Sequence, residues 1–164
     1  YIDKARYLAS QANTPQPYYY HEVIGYNYLM HEYQAVLLNT HLHYQQTILD
    51  QRKAQHNLYM DALNDKGISS FETPEGYCSN DWVTVLLFEN EEQRQNVQST
   101  LSQTKINCRN TWYPMHLQPI LKAFKVYGGK VAEDLFGRGL CIPSGWHFNQ
   151  KEQQLIINTI LKSL

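Results

Sequence analysis

"SNDWVTVLLFENEEQ", Ser79 to Gln93, holds a β-rich apolar run and then a helix start. Residues 82–89 are β-branched, aromatic or aliphatic almost throughout, which is the composition of a buried strand. Asn90 follows as a helix cap, with Gln93 three residues on as its capping-box partner. Val97 and Leu101 then mark the buried face of that helix. A strand feeding directly into a capped helix predicts an α/β or α+β layer, with helices packed on a small sheet.

The same grammar recurs downstream. "INCRNTWY" at 106–113 reads as a second strand. A short helix is predicted around Pro119 to Phe124 and another from Lys130 to Phe136. "GLCIPSG" at 139–145 reads as a short strand running into a turn. Asn149, with Glu152 three residues on, opens a last helix carrying Ile156, Ile157, Ile160, Leu161 and Leu164.

Upstream the pattern is helical. Residues 3–12 read as the end of a helix, through Ile2, Ala5, Leu8 and Ala9. "NTPQPYYYHEVIGYNY" then breaks all periodicity, and Pro15 and Pro17 exclude regular structure there. From Leu29 to about Asp65 a long helix is predicted. Met30, Tyr33, Leu37, Tyr44 and Ile48 form one stripe, continued by Leu58 with Ala62 and Tyr59 with Leu63. Gly67 is its terminator. More than thirty residues is long for one globular helix, so a kink or an element joining two layers is expected.

Composition bounds the function. The chain has 164 residues and a formal net charge of -1, from 14 basic and 15 acidic side chains. That length suits one domain with its own core. The balance argues against a nucleic-acid binder. No apolar run approaches a membrane span. A signal peptide is not expected from the first residues, which are charged and amphipathic. Cys78, Cys108 and Cys141 are odd in number and far apart, so a disulfide framework is not expected and the cytosol is the expected compartment. Thirteen tyrosines suit a wet pocket or a subunit interface, because each offers apolar area and a hydroxyl together.

Few stretches carry chemistry by themselves. His31, His41 and His43 have no acidic or cysteine partner at ligand spacing, so no metal site is predicted. "YGGK" at 127–130 lacks the rest of a phosphate loop and reads as a flexible turn ahead of a helix. "CRNTWYPMHLQP", Cys108 to Pro119, is denser. It closes a predicted strand and holds Arg109, Trp112, Met115, His116 and Gln118. An arginine can clamp a carboxylate or phosphate, and an imidazole can donate to a phosphate oxygen or a sugar hydroxyl. The competing reading makes Trp112 and Met115 core, with Arg109 and His116 solvated.

"GYNYLMHEYQA", "SNDWVTVLLF", "RNTWYPMHLQP", "YGGKVAEDLFGRGLCIPSG" and "EQQLIINTIL" follow one another in that order. Together they resemble the C-terminal part of the DegT/DnrJ/EryC1/StrS family, pyridoxal-phosphate-dependent aminotransferases that act on nucleotide-linked keto sugars for surface polysaccharides. The resemblance runs from Ala5 onward. It implies the C-terminal domain of the type I aminotransferase fold. Residues 1–25 would end the large domain and supply an interface loop, 26–66 would be a long interdomain helix, and 67–164 the small α/β domain.

The family's Schiff-base lysine, the acid on the pyridine nitrogen and the phosphate-binding hydroxyls all match positions ahead of Tyr1. Lys53, Lys122 and Lys130 match none of them. The resemblance therefore implies that this chain alone is inactive, and that the whole protein works as a homodimer with glutamate as amino donor. It assigns Asn27, in the Gly25–Tyr28 loop, to the cofactor phosphate of the other subunit. It assigns Arg109, Trp112 and His116 to sugar-nucleotide contacts.

The sequence departs from the family at Leu29 and His31, where arginine and a small polar residue are common, and at Asn110, where proline is common. Those departures keep two other readings open. One is a truncated, non-catalytic small domain that needs a partner chain. The other is a free-standing nucleotide-sugar binding module.

Overall fold

A computed structural model describes residues 1–15, 21–145 and 147–164. The expected loop position of Pro17 lies outside them. The chain divides into two compact units, Tyr1–Gln45 and Gln46–Leu164.

In the first unit, α1 (Ile2–Ala9) ends in an irregular segment where Gln11 and Ala12 both take positive φ, 65° and 51°. The predicted long helix starts later than Leu29, as α2 (Glu32–His43). His31 is its cap, and its N–H donates to Gln34 Oε1 at 3.1 Å. The helix breaks at Tyr44 before α3 (Gln45–Leu63) begins. The cause is local. Thr40 Oγ1 donates to Val36 O at 2.9 Å, and His43 Nδ1 lies 2.7 Å from Asn39 O. Side chains that bond back to carbonyls four residues earlier compete with the helix ladder and bend it. The single stripe expected from Met30 to Ile48 does not form: Met30 precedes α2, the break at Tyr44 separates Ile48 from it, the apolar residues of α2 are not gathered on one face, and none of its residues is buried in this chain.

The second unit holds the core. Gly67 ends the helical run as expected, with φ 78° and its N–H on Asn64 O. Three short strands, β1 (Thr84–Leu87), β2 (Arg109–Asn110) and β3 (Gly139–Ile142), form an antiparallel sheet in the order β1-β3-β2. The predicted strand at 106–113 is cut to two residues. Beyond Asn110 the chain is drawn to a helix, because the Thr111 hydroxyl donates to Leu135 O at 3.0 Å. The predicted 119–124 helix is a single 3₁₀ turn, Pro119–Leu121.

Helices α4 (Glu91–Gln103) and α6 (Gln150–Leu161) begin at the two caps read from the sequence. Asn149 forms the full reciprocal box with Glu152. At α4 the box is offset: Asn90 accepts from Gln93 N–H, while the Gln93 side chain takes Glu89 N–H.

One face of the sheet, with Leu86, Leu140 and Ile142, meets Tyr59, Leu63, Val97, Leu101, Ile156, Ile157 and Ile160. Burying each such aliphatic side chain contributes about 1.5–3 kcal/mol. The opposite face carries Val85, Leu87 and Cys141, packed against Val83 and Leu135 of α5 (Lys130–Arg138). This is the mixed helix and small-sheet architecture that the sequence implied.

Candidate functional site

The outer sheet face is where the second unit stays open. Val85, Cys141 and Arg109 stand side by side in register across β1, β3 and β2. Leu135 of α5 covers part of that face. Beyond it lies a cavity of about 360 Å³, lined by Trp82, Val83, Asn107, Cys108, Arg109, Cys141, Ile142, Pro143 and Ser144.

Arg109 is exposed, with its guanidinium carbon 5.8 Å from the centre of the Trp112 ring. Trp82 faces Trp112, ring centres 6.4 Å apart, and the two indoles are 55% and 59% exposed. That is a large apolar area to leave in water beside a cation. Burial pushes the Cys141 thiol up, and the charge and hydrogen bond of Arg109 partly offset it. A guanidinium on an aromatic wall, in a half-sheltered groove, is suited to a flat or anionic ligand.

The floor of the cavity is held from below. Ser144 Oγ accepts from Thr84 N–H at 3.1 Å. Tyr59 donates to Pro143 O at 3.0 Å, and Gln55 Nε2 donates to Gly145 O at 2.7 Å. Burial raises the Tyr59 phenol well above its ordinary value.

His116 takes a different place. It sits in the 3₁₀ turn Met115–Leu117 and pairs with Glu133 of α5, Nε2 to Oε1 at 2.8 Å. Neither it nor Trp112 lines the Arg109 cavity, whose tryptophan is Trp82. The sequence grouped Arg109, Trp112 and His116; the structure sets Arg109 5.8 Å from the Trp112 ring and pairs His116 with Glu133, a partner the sequence did not offer. Sequence reasoning passed over Trp82 and Glu133. An isolated tryptophan at a strand entrance was the available signal for the first, and nothing in the spacing marked the second.

Asn27 belongs to the first unit. Its loop is stitched to the end of α1 by three backbone bonds, Tyr26 N–H to Leu8 O, Tyr28 N–H to Ala9 O and Gln11 N–H to Tyr26 O. Gly25 allows this, since a Cβ there would lie 2.2 Å from Gln11 C and 2.3 Å from Ala12 N. The rings of Tyr26 and Tyr28 stack at 5.3 Å on either side of Asn27 in sequence. Asn27 is exposed and lines a second cavity with Ser10, Gln11, Asn13, Thr14, Pro15 and Leu29.

The sequence profile of the DegT/DnrJ/EryC1/StrS aminotransferase family matches residues 1–161. The chain belongs to that family. EpsN of Bacillus subtilis (strain 168), itself only provisionally assigned as a pyridoxal phosphate-dependent aminotransferase, is 33% identical over 165 residues, covering 98% of this chain and 42% of that protein. The GDP-perosamine synthase of Escherichia coli O157:H7 is 25% identical over 142 residues, covering 87% of this chain and 38% of the synthase. A DegT DnrJ EryC1 StrS aminotransferase from Brucella abortus has the same fold, with TM-score 0.80, 25% identity, and 98% and 42% of the two chains covered. TlmJ of Streptoalloteichus hindustanus shares the fold at TM-score 0.86 and 16% identity, over 98% of this chain and 44% of its own. The chain thus spans about two-fifths of the length of the relatives it matches.

Aminotransferases of this family work with pyridoxal phosphate. Among the described residues, the cavity beside Asn27 offers amides and hydroxyls and no amine. That donor set fits one hydrogen-bonded edge of a phosphate rather than a whole cofactor site. Among the described residues, no helix is long and apolar enough to cross a membrane.

Proposed function

We propose that this chain is the C-terminal part of an aminotransferase that moves an amino group from glutamate to a nucleotide-linked keto sugar for surface polysaccharide synthesis. The observation that carries the reading is the family match over residues 1–161, which includes the open face bearing Arg109. The similarity to a GDP-perosamine synthase supports the substrate class.

The domain reading assigns 1–25 to the end of the large domain, 26–66 to the connecting segment that holds α2 and α3, and 67–164 to the small domain. The Schiff-base lysine belongs to the large domain, and these residues without it are inactive. The whole protein acts in the cytoplasm as a homodimer.

Pyridoxal phosphate supplies the electron sink that lets an amino group leave one carbon and join another. The residues of this chain bind and orient. Asn27 donates its carboxamide N–H to the cofactor phosphate of the other subunit. A neutral donor adds a hydrogen bond there without a further charge to desolvate. Arg109 clamps the diphosphate of the sugar nucleotide, and Trp112 shields that contact from water, which strengthens it. His116 meets the sugar.

The apolar surface of α2 supports the larger assembly. Val36, Leu37 and Leu42 are 57–64% exposed, a surface that is covered in a working protein. Titration calorimetry of the complete protein with nucleotide-linked sugars tests the reading. Binding that Arg109→Ala weakens is expected; no binding of any nucleotide-linked sugar overturns it.

A further inference from the structure

The turn Gly128–Gly129 and the helix after it carry a detail that the family match does not explain. Gly128 and Gly129 both take positive φ, 72° and 109°. At Gly129 there is a second demand beyond backbone conformation. A Cβ there would lie 2.7 Å from His116 Cε1 and 2.8 Å from its Nε2. The imidazole is thus seated close against a residue with no side chain, at the entrance to α5.

One turn into α5, the Glu133 N–H closes on Gly129 O at 3.0 Å, and the Glu133 carboxylate meets His116 Nε2 at 2.8 Å. The His116 side chain is 18% exposed and that of Glu133 48%. The ring is held on two sides and stays partly open to solvent.

A carboxylate can only accept, so the ring nitrogen facing it must carry a proton. In a neutral imidazole the other nitrogen then has a free lone pair. We propose that Glu133 is a positioning residue that fixes the His116 proton on Nε2, so that Nδ1 is presented as an acceptor for a hydroxyl of the nucleotide-linked sugar. This rests on the proposed function for the identity of the ligand, but not for the tautomer.

The chemistry divides the ligand between two residues. A diphosphate offers no proton near neutral pH, so Nδ1 has nothing to accept from it. A sugar offers hydroxyl donors. The anionic half of the ligand falls to Arg109, a donor-only group.

The test is long-range ¹H–¹⁵N correlation on histidine-labelled protein followed up the pH scale until the imidazole is neutral, with His116 assigned through His116→Asn. The expected result is one neutral form, protonated at Nε2. A proton on Nδ1 in the neutral form overturns the assignment. Glu133→Gln keeps the shape of the side chain but can both donate and accept. It is expected to lose the single tautomer while the backbone amide spectrum is kept. A tautomer unchanged by Glu133→Gln also overturns the positioning role.

In the complete enzyme, Glu133→Gln is expected to raise KM for the sugar substrate roughly 3- to 10-fold, one neutral hydrogen bond. The half-reaction with glutamate should not move. The expected tautomer in a protein that binds no nucleotide-linked sugar overturns the ligand assignment together with the proposed function. A different tautomer in an active enzyme overturns this inference alone.

Discussion

Arg109 stands opposite Cys141 across the β2–β3 ladder, on the sheet face that Leu135 leaves partly open. The pairing sets a cation beside a thiol that reports on it. Burial raises the Cys141 thiol, and Arg109 lowers it. Arg109→Ala removes only the lowering influence. The pH profile of Cys141 alkylation is then expected to move to higher pH. In the complete enzyme the same change is expected to weaken sugar-nucleotide binding by about 1.5–3 kcal/mol, the range for a hydrogen bond to a charged group.

Tyr59 gives a stability test with a definite sign. Tyr59→Phe is expected to cost about 1 kcal/mol at neutral pH, because Pro143 O loses its donor. The folded phenol titrates above its ordinary value of 10.0 because it is buried. Its contribution is fully present below pH 10 and is lost as pH rises toward the folded value, where only the unfolded chain has ionised. The gap between wild type and Tyr59→Phe in urea unfolding should therefore narrow above about pH 10.

Gly25→Ala is expected to release the Asn27 loop. The added Cβ meets backbone of Gln11 and Ala12, which cannot yield as a side chain can. Overpacking of this kind costs about 1–3 kcal/mol. Hydrogen exchange at the Tyr26 and Tyr28 amides, now held by Leu8 O and Ala9 O, should accelerate while the β1–β3 amides keep their protection.

Asn27→Ala tests the cofactor contact. Loss of one hydrogen bond, about 1 kcal/mol, is expected to weaken pyridoxal phosphate retention in the complete protein roughly 5-fold. Dialysis followed by the cofactor's absorbance reads it. Retention equal to wild type would place Asn27 away from the phosphate.

The parts of the fold set by local chemistry were legible. Asn149 with Glu152, and Asn90 ahead of Gln93, start helices where their side chains reach backbone N–H groups only two or three residues away. β1 was legible because four consecutive buried residues leave no polar face. What escaped depends on distant partners. β2 reads longer than it is, since the pull of Leu135 O on Thr111 acts across 24 residues. The stripe expected on α2 did not form as one face, because spacing counted through Tyr44 assumes an unbroken helix. Arg109 and Trp112 lie three residues apart and could be read as one cluster. Glu133 lies 17 residues from His116, and only the Gly128–Gly129 turn brings them together.

The central claim is tested most directly by supplying the complete enzyme with ¹⁵N-labelled glutamate, pyridoxal phosphate and a panel of nucleotide-linked keto sugars. Mass spectrometry then reads the sugar nucleotides. The expected result is one product carrying ¹⁵N, formed with an equal amount of 2-oxoglutarate. Label that remains in glutamate with every sugar would contradict the account.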